Sequence, residues 1–160
     1  MSRIVALLVS LLLVTGCTTP APATTAHAAT PNPSPAAGTE WIEVVLAEQR
    51  AYLWRGDHLV AALAVSSGVG DSPSTTTYTG EFTIATMYPG PEETAPGVFV
   101  RDVVIFDWAH GNGFHSLPAD ANGVVLDPTV GKPASAGCIR VAQSGQLYEF
   151  AEVGMRVLIR

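Results

Sequence analysis

Between residues 41 and 65, apolar and β-branched side chains come in three short runs, 41–46, 51–54 and 59–65, each bounded by polar or glycine-containing segments. Runs of this length and composition predict strands rather than helices. Arg55-Gly56-Asp57, between the second and third runs, predicts a hairpin turn. Gly80 opens a further strand over 81–88, a long β-branched run covers 98–107, and 155–160 closes the chain as an apolar strand. Helical spacing is confined to 144–152, where Leu147, Phe150 and Ala151 share a face, Ser144 is a candidate N-cap and Gly154 ends the element. Segments 66–79 and 89–97 are rich in Gly, Pro, Ser and Thr and read as long loops, which on a small sheet protein commonly carry function. The pattern predicts a mainly β fold, a sandwich or barrel with one short helix.

Ahead of these runs lies sequence of another kind. Residues 4–14 are apolar apart from Ser10 and follow Arg3. This run is shorter than the roughly 20 residues a membrane-spanning helix needs, and it has the flanks of a cleaved signal. Val14-Thr15-Gly16-Cys17 resembles the lipobox of bacterial lipoproteins, which implies a signal peptide over 1–16, cleavage before Cys17 and lipidation of that thiol. The alternative is an ordinary secretory signal cut near residues 26–29. Residues 17–38 are dominated by Thr, Pro and Ala, with no large apolar side chain to bury, so the segment predicts an extended, disordered tether. The domain then occupies 39–160. Eight basic against 14 acidic side chains give a net charge of −6, which argues against nucleic acid as a partner because no basic stripe is present to displace counterions.

Candidate chemistry centres on Ser135-Ala136-Gly137-Cys138-Ile139-Arg140, preceded by Phe114-His115-Ser116. Of two cysteines, Cys17 sits at the end of the apolar N-terminal stretch as the lipidation candidate, which leaves Cys138 as a lone thiol in an exported chain and a candidate nucleophile. A thiol with a free pKa of about 8.5 needs a base, and an imidazole that takes its proton is expected to let it react below that value. The alternative is a buried, inert cysteine. His115 and His110 compete as the base, and Asp107 and Asp120 are weaker candidates for orienting it. The N–H groups of Gly137 and Cys138 are candidate oxyanion donors. Arg140 either binds a substrate carboxylate or holds the site loop, and Ser135 supports the turn. No metal site is expected, since these residues lack tight ligand spacing, and no cofactor is implied.

His115-Ser116, a spacer and Ser135-x-Gly137-Cys138-Ile139-Arg140 resemble the signature of the L,D-transpeptidase (YkuD-type) catalytic domain, and Thr79-Gly80-Glu81-Phe82-Thr83-Ile84 is similar to the family's Thr-Gly-x-Phe-x-Ile strand. The resemblance runs from about Trp41 to the C-terminus. It selects His115 as the base, with the backbone carbonyl of Ser116 orienting it. It implies a cysteine-dependent transfer of peptidoglycan stem peptides to an amine, or to water in an L,D-carboxypeptidase, acylation by carbapenem inhibitors, and the family's β-sandwich/barrel with a helix after the cysteine. With the lipid anchor it places the protein on a membrane, facing the cell wall or periplasm. Three departures stand out: Ala136 replaces the family's usual histidine, the spacer is slightly long, and Tyr78 stands where proline is common. Ala136 keeps open a second function, a catalytically weak peptidoglycan-binding lipoprotein.

Overall fold

The computed structural model describes residues 39–160; the signal, Cys17 and the tether lie outside the described residues. Eleven strands and one α-helix follow in the order β1 (Glu40–Val45), β2 (Arg50–Arg55), β3 (His58–Ser66), β4 (Gly80–Thr83), β5 (Thr86–Tyr88), β6 (Glu92–Ala95), β7 (Val98–Val100), β8 (Val103–Asp107), β9 (Asn112–His115), β10 (Ile139–Val141), α1 (Ser144–Phe150) and β11 (Arg156–Ile159). The mainly β architecture with a short helix after Cys138 is as expected. Nine strands form one sheet in the order β4-β11-β1-β2-β3-β10-β9-β8-β5, and β6 pairs with β7 alone.

The sheet curls because its two end strands are joined by a covalent seam. The expected strand 81–88 is two strands, β4 and β5, which lie at opposite ends of the sheet. At Ile84-Ala85 the chain crosses between them: Ile84 N–H donates to Met155 O at 2.9 Å on one side, and Ala85 N–H to Ile105 O at 2.8 Å on the other. Strands that change sheet partners at a bend make the corners of β-sandwiches. Phe82 of β4 then meets Phe106 of β8 at 5.3 Å between ring centroids, and Phe106 meets Phe114 at 4.9 Å. Around these rings lie Ile42, Val44, Leu53, Val65, Val104, Ile139, Val141, Val157 and Ile159, with Leu147 of α1 closing the core.

Three further sequence expectations change. The long run 98–107 breaks at Arg101-Asp102, where Asp102 takes φ 55° and turns β7 away from the main sheet. The "loop" 89–97 contains β6, which pairs with β7 through a Pro96-Gly97 turn with Gly97 at φ 74°, the positive φ a type II turn places on its third residue. Ser144 does not cap α1. Gln143 holds the N-cap position with no side-chain bond, and Ser144 Oγ donates instead to Asp102 Oδ2 at 2.7 Å. The hairpin between β2 and β3 forms at Gly56-Asp57, with Gly56 at φ 60°.

Candidate active site

Strands β9 and β10 run parallel, with Phe114 opposite Ile139 and His115 opposite Arg140. Phe114 and Ile139 are fully buried. Because side chains alternate along a strand, His115, Arg140 and Cys138 fall on the other face, which forms the floor of a cleft of about 640 Å³. Ser135 and Ala136 line the same cleft. Its apolar floor continues along Val103 and Ile105 of β8, and the β6–β7 hairpin is the facing wall. Gly113, level with Cys138 in this register, cannot carry a side chain: a Cβ there would lie 2.7 Å from Val104 O and 2.9 Å from Ile105 Cδ1.

His115 Nδ1–H donates to the Ser116 carbonyl at 2.6 Å, which leaves Nε2 as the unprotonated nitrogen. Burial pushes the His115 pKa down, the Ser116 carbonyl opposes that shift, and the Arg140 guanidinium adds to it. Cys138 Sγ–H donates to Gly111 O at 3.4 Å. Burial pushes the thiol pKa up, with the Gly113 N–H acting weakly the other way. The thiol is therefore not held ionised at rest, and reaction below its ordinary pKa depends on His115 taking the proton. Both shifts favour neutral groups, because the pair sits under the hairpin wall, where desolvation outweighs the available partners.

Arg140 is committed at one end, where its Nη1 donates to Asp127 Oδ2. Asp127 also accepts from the Thr129 backbone at 3.0 Å, and the Thr129 contacts, followed by Arg140, hold its carboxyl at about 2. Ser135 Oγ donates to the Cys138 carbonyl. His110 is turned elsewhere: its Nδ1 bonds Asp107 Oδ2 at 2.7 Å and its ring stacks on Tyr78 at 3.8 Å. Asp107 is thus engaged with His110, and Asp120 accepts from the N–H groups of Asn122 and Val124 within its own turn at 2.9 and 2.8 Å. Among the described residues no group of three or more His, Cys, Asp or Glu is placed to hold a metal ion.

Two buried residues outside the sequence motifs, Thr77 and Asn112, brace the turn that carries Cys138. Thr77 Oγ1–H donates to Gly137 O at 2.6 Å, and Asn112 Nδ2–H donates to Thr76 O at 2.9 Å. Gly137 itself takes φ 110°, and a Cβ on it would lie 2.6 Å from Asn112 Oδ1. Nothing local marks Thr77, which lies three residues before Gly80 inside a segment whose composition reads only as loop.

The model of the L,D-transpeptidase catalytic domain (YkuD) matches residues 39–159. The chain belongs to this family. No curated protein matches it. Solved L,D-transpeptidase structures share the fold. One from Xylanimonas cellulosilytica is 20% identical with TM-score 0.59, over 81% of this chain and 64% of its own. The catalytic domain of the E. faecium L,D-transpeptidase, acylated by ertapenem, is 22% identical with TM-score 0.53, over 76% of this chain and 97% of its own. A fused Zn-dependent amidase/peptidase/peptidoglycan-binding domain-containing protein from Clostridium acetobutylicum is 28% identical with TM-score 0.60, over 81% of this chain and 55% of its own. The chain thus spans less than two thirds of the Xylanimonas cellulosilytica chain it resembles.

Proposed function

We propose that the protein is an exported, cysteine-dependent L,D-transpeptidase that acts on peptidoglycan stem peptides. The observation that carries this reading is the placement of Cys138 and His115 on one face of adjacent parallel strands, in one cleft, with His115 Nδ1 already committed to Ser116 O. In the resting site the proton stays on sulfur. As Sγ attacks the amide carbonyl of the stem peptide, Nε2 of His115 takes the thiol proton, a Sγ–C bond forms, and the carbonyl oxygen becomes an oxyanion facing the N–H groups of Gly137 and Cys138. Collapse breaks the C–N bond, and the imidazolium returns its proton to the departing D-amino acid. An acceptor amine then attacks the thioester, losing its proton to His115 and releasing the thiol. Water in place of the amine gives the carboxypeptidase. Arg140, anchored by Asp127, offers its remaining guanidinium donors to a substrate carboxylate.

The experiment is incubation of the full chain with a purified tetrapeptide muropeptide, followed by product masses. Release of a D-amino acid, lost in Cys138→Ala, is the expected result. Intact tetrapeptide retained on the protein, with nothing released, points instead to the peptidoglycan-binding lipoprotein. The neutral thiol–imidazole pair favours that second reading, because it lowers the resting supply of thiolate, and Ala136 stands where the family usually has a histidine. Carbapenems extend the test: a single adduct of intact carbapenem mass is expected on Cys138, since opening the β-lactam ring transfers the acyl group to sulfur and expels nothing.

The anchor belongs to the same proposal. Cleavage before Cys17 and lipidation of its thiol would hold the enzyme at a membrane, each buried CH₂ contributing about 0.8 kcal/mol. Cys17→Ser is expected to remain unprocessed or to lose its lipid. An unmodified wild-type N-terminus near Thr30 would exclude the anchor.

A further inference from the structure

The oxyanion donors proposed above belong to a turn that cannot hold its own orientation. Gly137 sits at φ 110°, a region open to glycine alone, where the missing Cβ also removes the steric bias that would fix the peptide that follows. That peptide joins Gly137 to Cys138. It is planar, with the Gly137 carbonyl on one edge and the Cys138 N–H on the opposite edge, so whatever fixes the carbonyl aims the N–H. Among the described residues, neither the Gly137 nor the Cys138 N–H donates to another group.

We infer that Thr77 is the positioning residue of this oxyanion peptide: its hydroxyl grips the Gly137 carbonyl from behind and thereby aims the Cys138 N–H at the reacting carbonyl. The inference rests on the acyl-transfer reading. Thr77 is 6% exposed. Its oxygen accepts the Gly68 N–H at 2.9 Å, which leaves its single proton for Gly137 O, at 2.6 Å. The β-branch limits χ1, so the hydroxyl is held stiffly. Gly68 packs the back of the same turn so closely that a Cβ there would lie 2.8 Å from Gly137 Cα and 2.1 Å from Thr75 O. On the other side of the sulfur, Ser135 holds the Cys138 carbonyl. Thr77 touches no substrate and acts only through the Gly137–Cys138 peptide.

An oxyanion role is separable from simple support of the turn because two reagents use the same sulfur differently. Carbapenem acylation passes through a tetrahedral oxyanion, whereas iodoacetamide alkylation is a direct displacement at carbon and forms none. In the full chain, with adducts mapped to Cys138, Thr77→Val is expected to slow carbapenem acylation about 10²-fold, the scale of one lost oxyanion donor. Iodoacetamide alkylation and its pH profile should stay at the wild-type values. Thr77→Ser, which returns the hydroxyl, should acylate within about threefold of wild type. Acylation and alkylation falling together, or Thr77→Val acylating at the wild-type rate, would overturn the inference. Should Thr77→Val fail to fold, a folded Thr77→Ser with a selective acylation loss of about tenfold or more would overturn it as well. A wild-type protein labelled by iodoacetamide but never by carbapenem would overturn both readings, and needs no variant to be recognised.

Discussion

Burial shifts Cys138 and His115 toward their neutral forms, and these opposed shifts set a pH profile for the proposed reaction. His115 must be unprotonated to accept the thiol proton, and burial has moved its pKa below the ordinary value of 6.5. Acylation is therefore expected to hold as pH falls past 6.5 and to decline only below it. Alkylation by iodoacetamide draws on free thiolate, so it should keep rising as pH passes the ordinary thiol pKa, above which Cys138 is raised. Rates of both reactions across pH check this, and a shared midpoint near neutrality would contradict it. Arg140 lowers the His115 pKa further, so Arg140→Gln should move the acid limb upward. His115→Ala should cost roughly 10²–10⁴-fold in acylation, the usual scale of general acid–base catalysis. The motif made Cys138, His115 and the Ser116 carbonyl legible in the sequence. The direction of the thiol shift was not, because it comes from desolvation under a wall supplied by residues about forty positions earlier. Thr77 was hidden for a related reason, since its partner Gly137 is brought to it only by the fold.

Among the elements, strands with apolar alternation were readable and strands made by pairing alone were not. β6 is Glu-Glu-Thr-Ala, exposed at every position, and carries no period to detect. β10 is only Ile139–Val141. The division of 81–88 into β4 and β5 has no local signal either, because each half has its own partner, β11 or β8, far along the chain. Ile84, at 1% exposure, marks the crossing. Ile84→Ala is expected to destabilise the fold by about 2–5 kcal/mol, the cost of a buried large-to-small change, read as a lower denaturation midpoint. Gly113→Ala should be worse for function than for solubility: its Cβ would press on the β8 backbone and shift β9, slowing acylation and alkylation alike.

At the scale of the molecule, the hairpin wall is held from outside. Phe99 N–H donates to Ala119 O at 2.8 Å and Ala119 N–H to Phe99 O at 2.9 Å, and the pair Arg101 and Ser116 repeats the exchange at the hairpin's base, where Ser116 N–H donates to Arg101 O at 2.9 Å and Arg101 N–H to Ser116 Oγ at 2.9 Å. The wall is thereby bonded to the residue whose carbonyl orients His115. Ala119→Pro removes one of these donors, worth about 0.5–1.5 kcal/mol net, and is expected to loosen the hairpin. Faster hydrolysis of a carbapenem adduct, followed by mass over time, is the expected sign.

Strand direction has a consequence for how the site is offered. The chain enters β1 at Glu40, and β1 pairs Glu40 with Arg55 while β2 pairs Arg55 with His58, so all three lie at one end of the sheet. β3 then runs to the other end, where Ser66 meets Arg140, two residues past Cys138. The polypeptide is thus stitched in at the pole opposite Cys138. A label joined at Glu40 would therefore stand at the pole away from Cys138 and leave the approach to the cleft open.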